Sequence, residues 1–234
     1  MYMRKLRIIL MLSSVQMIDK NKKKTYDFLI IGGGFYGCCL ALYLSQYSEK
    51  IIIIEQEKEI LKRSSKINQA RVHTGFHYPR SALTAVKSRF LKDKFKKDFS
   101  KAVIDDFQML YAISKNNSKV NSNRFFKMFK EMGAPIKAAS ENFKSLFNSE
   151  YIEDVFECEE YAFDYFIIRD ILKNMLEMKG IKIHFQKTVD RIFDGNYPTV
   201  EIKNFSSIQA KFIFNITYGN INNILNISGL KPVN

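Results

Sequence analysis

Long apolar stretches are missing from this chain of 234 residues, in which hydrophobic residues make up 46% and charged residues 26%. No run reaches the roughly 18 apolar residues that a membrane-spanning helix needs. The same balance excludes a disordered or collagen-like chain, because enough apolar surface is present to form a core. We therefore expect a soluble globular protein, long enough for one large domain or two small ones.

Cysteine is also scarce, with three residues that include the adjacent pair Cys38 and Cys39. An odd number at this spacing provides neither a disulfide framework nor a zinc site. We therefore expect no bound metal, a reducing compartment and a cytoplasmic location. Cys38 and Cys39 fall in a predicted helix, where small residues pack against a sheet, and we interpret both as structural.

Acidic residues are outnumbered, since 24 Asp and Glu stand against 37 Lys and Arg, a formal net charge of +13. This excess favours an anionic partner. Its sign does not choose among phosphates, carboxylates, nucleic acid and an acidic membrane surface, but lysine is spread along the chain and forms no basic stripe, so we expect no nucleic acid. Residues 1–24 are interpreted as a dispensable extension. The alternatives are a targeting segment or an amphipathic anchor on a membrane surface.

Glycine is rare, with 10 residues in the chain. Four of them fall within six positions: Gly32, Gly33, Gly34 and Gly37. A continuous apolar run over 28–31 precedes them, a helical pattern over 35–46 follows, and a second apolar run over 51–54 ends at Glu55. Uninterrupted apolar runs are typical of parallel strands covered on both faces. The sequence therefore predicts a strand, a glycine turn, a helix and a second strand.

That order of elements is typical of dinucleotide binding. Gly32 permits the tight turn, Gly34 lets a pyrophosphate approach the helix N-terminus, and Gly37 lets the helix pack closely on the sheet. Glu55 would accept the hydroxyl hydrogens of the adenosine ribose and repel a 2′-phosphate. A glycine turn in an unrelated α/β protein is the alternative. The predicted cofactor site also includes Gly33, Phe35, Tyr36 and Gln56.

The polar segment over 55–81 is not another strand and helix repeat. It resembles the FAD-dependent oxidoreductases of the D-amino-acid oxidase type, and among them the L-2-hydroxyglutarate oxidase and glycerol-3-phosphate dehydrogenase branches. The resemblance is carried by Ser65, Asn68, His73-Thr74-Gly75 and His77-Tyr78-Pro79. The chain departs from those branches at Gln69-Ala70-Arg71, which leaves the substrate open.

The resemblance implies FAD as the cofactor and assigns it further contacts. Ser65 would cap the pyrophosphate, and the segment over 68–75 would run beside the isoalloxazine. Val189 would contact adenine through its backbone, and the strand end that carries Thr217 and Gly219 would close over the flavin nucleotide. The implied cofactor-binding residues also include Ser64, Asn68 and Gln69.

The resemblance also implies an α/β fold, in which a Rossmann-like FAD-binding domain is interrupted by a β-rich substrate domain. On this basis residues 1–24 are the extension, 25–80 and 181–234 form the FAD-binding domain, and 81–180 belong to the substrate domain. Members of the family continue beyond the point that corresponds to the end of this chain. We therefore expect an FAD-binding domain that is incomplete at its C-terminus and is completed by a further segment or a separate chain.

Hydrophobic periodicity predicts the remaining elements. The predicted strands cover 107–113, 151–158, 181–185 and the residues from 189 onwards, and the predicted helices cover 122–132 and 164–179. The segment 212–219 resembles the strand end that closes over the flavin nucleotide in the family. The apolar face of the second helix is assigned to Phe166, Ile167, Ile171, Leu172, Met175, Leu176 and Met178. Phe125, Phe126 and Phe129 are expected in the core.

The implied reaction is hydride transfer from a substrate C–H bond to flavin N5, with a base removing a hydroxyl or amine proton. His73 and His77 are the candidate bases, because imidazole titrates near neutrality. Hydrogen bonding of His73 to backbone is the alternative. Arg71 and Arg80 are candidates to bind an anionic hydroxy acid, amino acid or phosphorylated polyol, unless they are surface charges. The competing hypothesis is a truncated or split flavoprotein that binds nucleotide, or serves as a subunit, without activity of its own.

Overall fold

The structure is a computed structural model that describes residues 25–233. The interpretation of residues 1–24 lies outside this range. The strands are β1 (Tyr26–Ile31), β2 (Ile51–Ile54), β3 (Arg71–Val72), β4 (Val103–Ile104), β5 (Met109–Ser114), β6 (Ile136–Ala138), β7 (Ile152–Cys158), β8 (Tyr161–Phe163), β9 (Lys182–His184), β10 (Val189–Phe193), β11 (Thr199–Ile202) and β12 (Ile208–Asn215). The helices are α1 (Phe35–Leu44), α2 (Ala82–Asp98), α3 (Ser122–Glu131), α4 (Glu141–Lys144), α5 (Tyr165–Met178) and α6 (Ile221–Ile227).

The largest sheet has six strands in the order β10-β11-β12-β1-β2-β9. Strands β12, β1, β2 and β9 are parallel, whereas β11 pairs antiparallel with both β10 and β12. All four isoleucines of β2 are buried, as expected for a parallel strand covered on both faces. The predicted α/β class, with a glycine turn between the first strand and helix, is confirmed.

One face of this sheet is covered by α1 and α5. Cys38 and Ala41 of α1 lie in one apolar cluster with Ile30 and Ile53 of the sheet, and Leu172 of α5 joins them. Helix α5 falls in the segment that the sequence assigns to the substrate domain, although its buried side chains belong to the core of the nucleotide-binding sheet. The exact domain boundaries stay a prediction.

The predicted apolar face of α5 is partly wrong. Ile168, Leu172 and Leu176 are buried, whereas Phe166 is 56% exposed and Met178 is 86% exposed. The buried residues recur every fourth position and form one narrow stripe against α1. The sequence contains more apolar residues on this helix than the stripe can accommodate.

Two small antiparallel sheets make up the second region, in the orders β3-β8-β4 and β5-β7-β6. The side chains of Phe125 and Phe129, on α3, are fully buried there beside Phe76 and Phe156, so their predicted core position is confirmed. The predicted strand over 107–113 begins two residues later, at Met109. Among the described residues, none of the helices combines the length and apolar character needed to cross a bilayer.

Candidate functional site

Two glycines of the turn are required by the packing of the backbone. Gly32 has φ +108°, and a Cβ there would lie 2.8 Å from the carbonyl oxygen of Ile216. A Cβ on Gly37 would lie 1.9 Å from the carbonyl oxygen of Gly32. A side chain at Gly37 would force the first helix away from the sheet, as predicted, and a side chain at Gly32 would displace the backbone that follows β12.

Gly34 differs from these two, because a Cβ there would have a single neighbour, Ser65 Oγ, at 3.5 Å. Helix α1 begins at the next residue and has no side-chain cap from Gly34. The hydroxyl of Ser65 instead accepts a hydrogen bond from the N–H of Phe35 at 3.0 Å. It keeps its own proton for a further acceptor. The open space above Gly34 therefore meets a helix N-terminus and a hydroxyl donor, which is an arrangement suited to an anion.

Glu55 ends β2 and lies beside the same turn. Its carboxylate is 7% exposed and accepts hydrogen bonds from the N–H of Gly33 at 2.6 Å and from the N–H of Glu57 at 2.8 Å. Each carboxylate oxygen has a second lone pair that these bonds do not use. The group can therefore accept hydrogens from a diol while the two backbone bonds hold it in place.

The other residues predicted to bind the cofactor surround this turn in different ways. Phe35 packs in the core with Phe95 and Phe99, whereas Tyr36 is 78% exposed. Gln56 lies beside the guanidinium of Arg63. Phe35 therefore contributes its backbone N–H to the site, and its ring belongs to the core.

The loop that carries Ser65 is shaped by Asn68. Its side-chain amide donates to the carbonyl oxygen of Ser65 at 3.0 Å and its oxygen accepts from the N–H of Ala70 at 2.7 Å. Ser64 and Gln69 are exposed in the same loop. Asn68 thus holds the loop in position. The family resemblance implied a contact with the cofactor and did not indicate this role in the loop.

The predicted contacts at the other strands also have defined places. Val189 is buried and pairs with Ile202 across β10 and β11. The hydroxyl of Thr217 donates to the side chain of Asn215 at 2.6 Å, just past the end of β12. The residue with positive φ in this turn is Tyr218, at +53°, which precedes Gly219. A tyrosine seldom adopts this left-handed backbone conformation without a functional or packing reason.

A second constellation lies around Arg71 on β3. Its guanidinium donates to the carboxylate of Glu160 and contacts His77 Nε2 at 2.8 Å. The side chain is 20% exposed. Arg71 was predicted to bind a substrate anion, but its charge is already paired with Glu160. Arg80, the second predicted anion-binding residue, is exposed and makes no hydrogen bond or ion pair with any residue in the range 25–233.

His77 has both ring nitrogens engaged. Because a guanidinium can only donate, Nε2 is the acceptor, and the ring proton is on Nδ1. Nδ1 lies 2.7 Å from the hydroxyl oxygen of Tyr111. Burial lowers the pKa of His77, the charges of Arg71 and His73 lower it further, and Glu160 opposes them. Burial also raises the pKa of Tyr111. Both groups are therefore neutral at physiological pH.

His73 lies beside the carboxylate of Glu160 on the other side of this constellation. Its Nδ1 is buried, has no hydrogen-bond partner among the described residues and lies 3.8 Å from Glu160 Oε1. The rings of His73 and His77 meet edge to face with centroids 4.5 Å apart. Burial alone would raise the pKa of Glu160, but His73 and Arg71 outweigh it and hold the pKa below its ordinary value.

Sequence reasoning missed Glu160 and Tyr111. Both become part of the site through strand pairing: β3 pairs with β8, where Val72 faces Tyr161, and β5 carries Tyr111. The available signal was the acidic pair Glu159 and Glu160 at the end of an apolar strand. That signal is weak, because surface loops often carry such pairs.

The cysteines of α1 are unreactive in this setting. Cys38 is buried and its thiol donates to the carbonyl oxygen of Gly33 at 3.4 Å. Burial raises the pKa of Cys38 and raises that of Cys39 to about 11. Thiols with such pKa values remain protonated at neutral pH.

Comparison with known proteins identifies relatives that match this chain over different lengths. The family model for FAD dependent oxidoreductases matches residues 27–203. The FAD-dependent monooxygenase kojA of Aspergillus flavus is 26% identical over 194 residues, which cover 80% of this chain and 43% of kojA. The mitochondrial L-2-hydroxyglutarate dehydrogenase of Caenorhabditis elegans is 37% identical over 62 residues, or 26% of this chain and 14% of that protein.

Solved structures match over a longer span. The dithionite-reduced L-alpha-glycerophosphate oxidase of Mycoplasma pneumoniae, with FAD bound, superimposes with a TM-score of 0.66 at 21% identity. The match covers 88% of this chain and 57% of that one. The chain thus spans about half the length of the proteins it matches. These matches confirm the expected resemblance, the fold and FAD as the cofactor of the family.

Proposed function

Because the chain belongs to the family of FAD-dependent oxidoreductases, we propose that it forms the cofactor-binding part of an enzyme that oxidises a small anionic hydroxy acid, amino acid or phosphorylated polyol. The observation that carries this proposal is the arrangement of Gly34, Ser65 and Glu55 at the ends of β1 and β2. An open glycine, a hydroxyl donor and a fixed carboxylate lie there around one helix N-terminus.

These residues fit the parts of FAD one by one. The pyrophosphate would lie over Gly34, where the N-terminus of α1 and the proton of Ser65 are directed at negative charge. Glu55 would accept the ribose hydroxyls. In the same proposal Val189 contacts adenine through its backbone, and Thr217 and Gly219 lie against the flavin nucleotide. In this proposal the approach to the site is lined by half-buried Gln56 and by the exposed residues Tyr36, Ser64 and Gln69.

When bound, FAD supplies an electron-deficient ring that accepts a hydride from the substrate C–H bond. The chain must then supply a base for the hydroxyl or amine proton. Of the two candidates, the geometry favours His73. His77 has one nitrogen committed to Arg71 and the other to Tyr111, whereas His73 lies beside a carboxylate that favours its proton on Nδ1 and leaves a lone pair on Nε2.

Recognition of the anion is assigned to Arg80. Arg71 has its charge paired with a buried carboxylate, so a substrate carboxylate or phosphate would have to displace Glu160 to reach it. The exposed guanidinium of Arg80 is available for a bidentate contact with either anion. The remaining wall of the substrate pocket would come from a further segment or a separate chain, since the matched relatives extend well beyond the matched region.

Anaerobic bleaching of the flavin tests this proposal. The full-length protein is purified, its bound flavin is identified by its absorbance, and reduction is followed with hydroxy acids, amino acids and glycerol phosphates. We expect a yellow protein that is reduced faster by anionic substrates than by matched neutral ones. A colourless protein would contradict FAD binding. A yellow protein that no substrate of the panel reduces would favour the flavoprotein without activity of its own.

A further inference from the structure

Glu160 is a buried carboxylate, 2% exposed, for which the reaction proposed above has no direct use. Taking an ionised carboxylate out of water is costly unless charged or hydrogen-bonding partners surround it. Here the partners are Arg71, the N–H of Thr74 at 3.2 Å and the ring of His73. The neighbouring Glu159 has a side chain that is 51% exposed and pairs with Lys92. Only one of the two adjacent glutamates is therefore part of the constellation.

The backbone holds Glu160 in a defined position. It directly precedes β8, whose pairing with β3 sets Val72 opposite Tyr161. The hydroxyl of Thr74 donates to the carbonyl oxygen of Glu159 at 2.7 Å, which ties the segment after β3 to the start of β8. Arg71 and His73 are consequently carried on a strand and turn that are bonded to the residues flanking Glu160.

Three contacts link Glu160 to Arg71, Arg71 to His77, and His77 to Tyr111. Glu160 anchors one arm of the Arg71 guanidinium, and the other arm donates to His77 Nε2. With Nε2 occupied as an acceptor, His77 keeps its proton on Nδ1 and shares it with Tyr111. A planar guanidinium can make both contacts at once, whereas the single ammonium of a lysine cannot reproduce that fork.

We propose that Glu160 is the positioning residue of this site. It holds Arg71 so that His77 is kept in one neutral tautomer, and its second oxygen places a negative charge 3.8 Å from Nδ1 of His73. The fixed state of His77 thus depends on a buried carboxylate that acts through Arg71, which lies between them. The assignment of His73 as the base rests on the proposed function, but the fixed state of His77 does not.

A purely structural role for Glu160 makes a different prediction. If the carboxylate served only to join β3 to β8, its loss would lower the free energy of unfolding and leave the state of His77 in the folded protein unchanged. The tautomer of His77 is therefore a readout that separates positioning from simple stabilisation.

The test is a long-range ¹H–¹⁵N spectrum of the full-length protein labelled on histidine, recorded at neutral pH. This chain has three histidines, His73, His77 and His184, and single His→Gln variants assign their signals. We expect His77 to show one tautomer, protonated on Nδ1, in the native protein. In Glu160→Gln this signal should change to a mixture of tautomers, and in Glu159→Gln it should stay as in the native protein.

Arg71→Lys is the second variant and keeps the proposal open to refutation if Glu160→Gln does not fold. It retains a cation beside Glu160 but loses the fork, so His77 should show the same mixture of tautomers. Combining both changes should add nothing further. An unchanged His77 signal in folded Glu160→Gln or in Arg71→Lys would overturn the proposal, as would an equal effect of Glu159→Gln. Absence of bound flavin or of turnover would count against the proposed function, and the tautomer of His77 could still be measured.

Discussion

The turn around Gly34 and the constellation around Arg71 are built in opposite ways. In the turn, the important feature is the lack of side chains: Gly32 and Gly37 allow backbones to touch, and Gly34 leaves space beside a helix N-terminus. Around Arg71, four ionisable side chains from separate strands and turns satisfy one another. The first site depends on local backbone geometry, and the second depends on the pairing of distant strands.

Substitution of Gly37 should have the largest effect on the turn. In Gly37→Ala the new Cβ would overlap the carbonyl oxygen of Gly32, 1.9 Å away, so α1 must move off the sheet. We expect a loss of about 3 kcal/mol or more in the free energy of unfolding, measured by urea denaturation, together with loss of bound flavin. Gly219→Ala is the matched control for stability, because a Cβ there has no neighbour within 4 Å among the described residues. Equal stability of the two variants would contradict the packing argument.

The next largest effect distinguishes the two histidines. His73→Gln removes the proposed base, and loss of a general base typically slows a reaction roughly 100-fold to 10,000-fold. His77→Gln removes a neutral ring that is already hydrogen-bonded on both sides, and we expect less than about a tenfold change. Stopped-flow measurement of anaerobic flavin reduction gives both values. A larger loss in His77→Gln would reverse the assignment of the base.

A smaller effect is expected from the exposed arginine. Arg80→Ala should raise KM for anionic substrates by about tenfold to a hundredfold, as expected for a charge-assisted hydrogen-bonded contact. The KM for neutral analogues should change little, and flavin should stay bound. Arg124→Ala, which removes another exposed arginine, is the control for a general loss of positive charge. A uniform rise in KM for all substrates would exclude anion binding by Arg80.

The smallest effect concerns acid stability. His77 has a pKa below the ordinary value of 6.5, so unfolding lets it take up a proton more readily. Its contribution to stability is fully present above pH 6.5 and is lost as the pH falls through the lower pKa of the folded state. His77→Gln should therefore flatten the decline of the unfolding free energy between neutral pH and about pH 5, and solvent screening keeps this change small. An unchanged slope would show that the folded site does not disfavour the charged ring.

These differences also explain how much of the protein could be predicted from its sequence. The turn, the two apolar strands and the role of Gly37 follow from residues close together in the chain, and the structure agrees with each of them. Arg71 was predicted to bind a substrate anion or to be a surface charge, and neither interpretation included its partner Glu160, which lies 89 positions away in the sequence. Strand pairing between β3 and β8 creates that contact, and no periodicity within either strand indicates it.

The exposed apolar residues of α5 illustrate the same limit. The residues Phe166 and Met178 fit a helical apolar face in the sequence, but Ile168, Leu172 and Leu176 are the residues of this helix that are buried. The width of a buried stripe is set by the neighbouring helix, and hydrophobic spacing alone does not specify it. Local patterns therefore predicted the existence of this helix better than its packing.

The central claim is that the open glycine and the fixed carboxylate hold FAD at the ends of β1 and β2. Titration of FAD into the flavin-free full-length protein tests it most directly, with Gly34→Val compared against native protein and Cys38→Ala. The added side chain of Gly34→Val fills the space beside Ser65 and displaces the pyrophosphate, so we expect about a 100-fold weaker affinity, as for the loss of charge-assisted hydrogen bonds, with the unfolding transition retained. Cys38→Ala should bind FAD as the native protein does. Equal FAD affinity in Gly34→Val and the native protein would contradict the account.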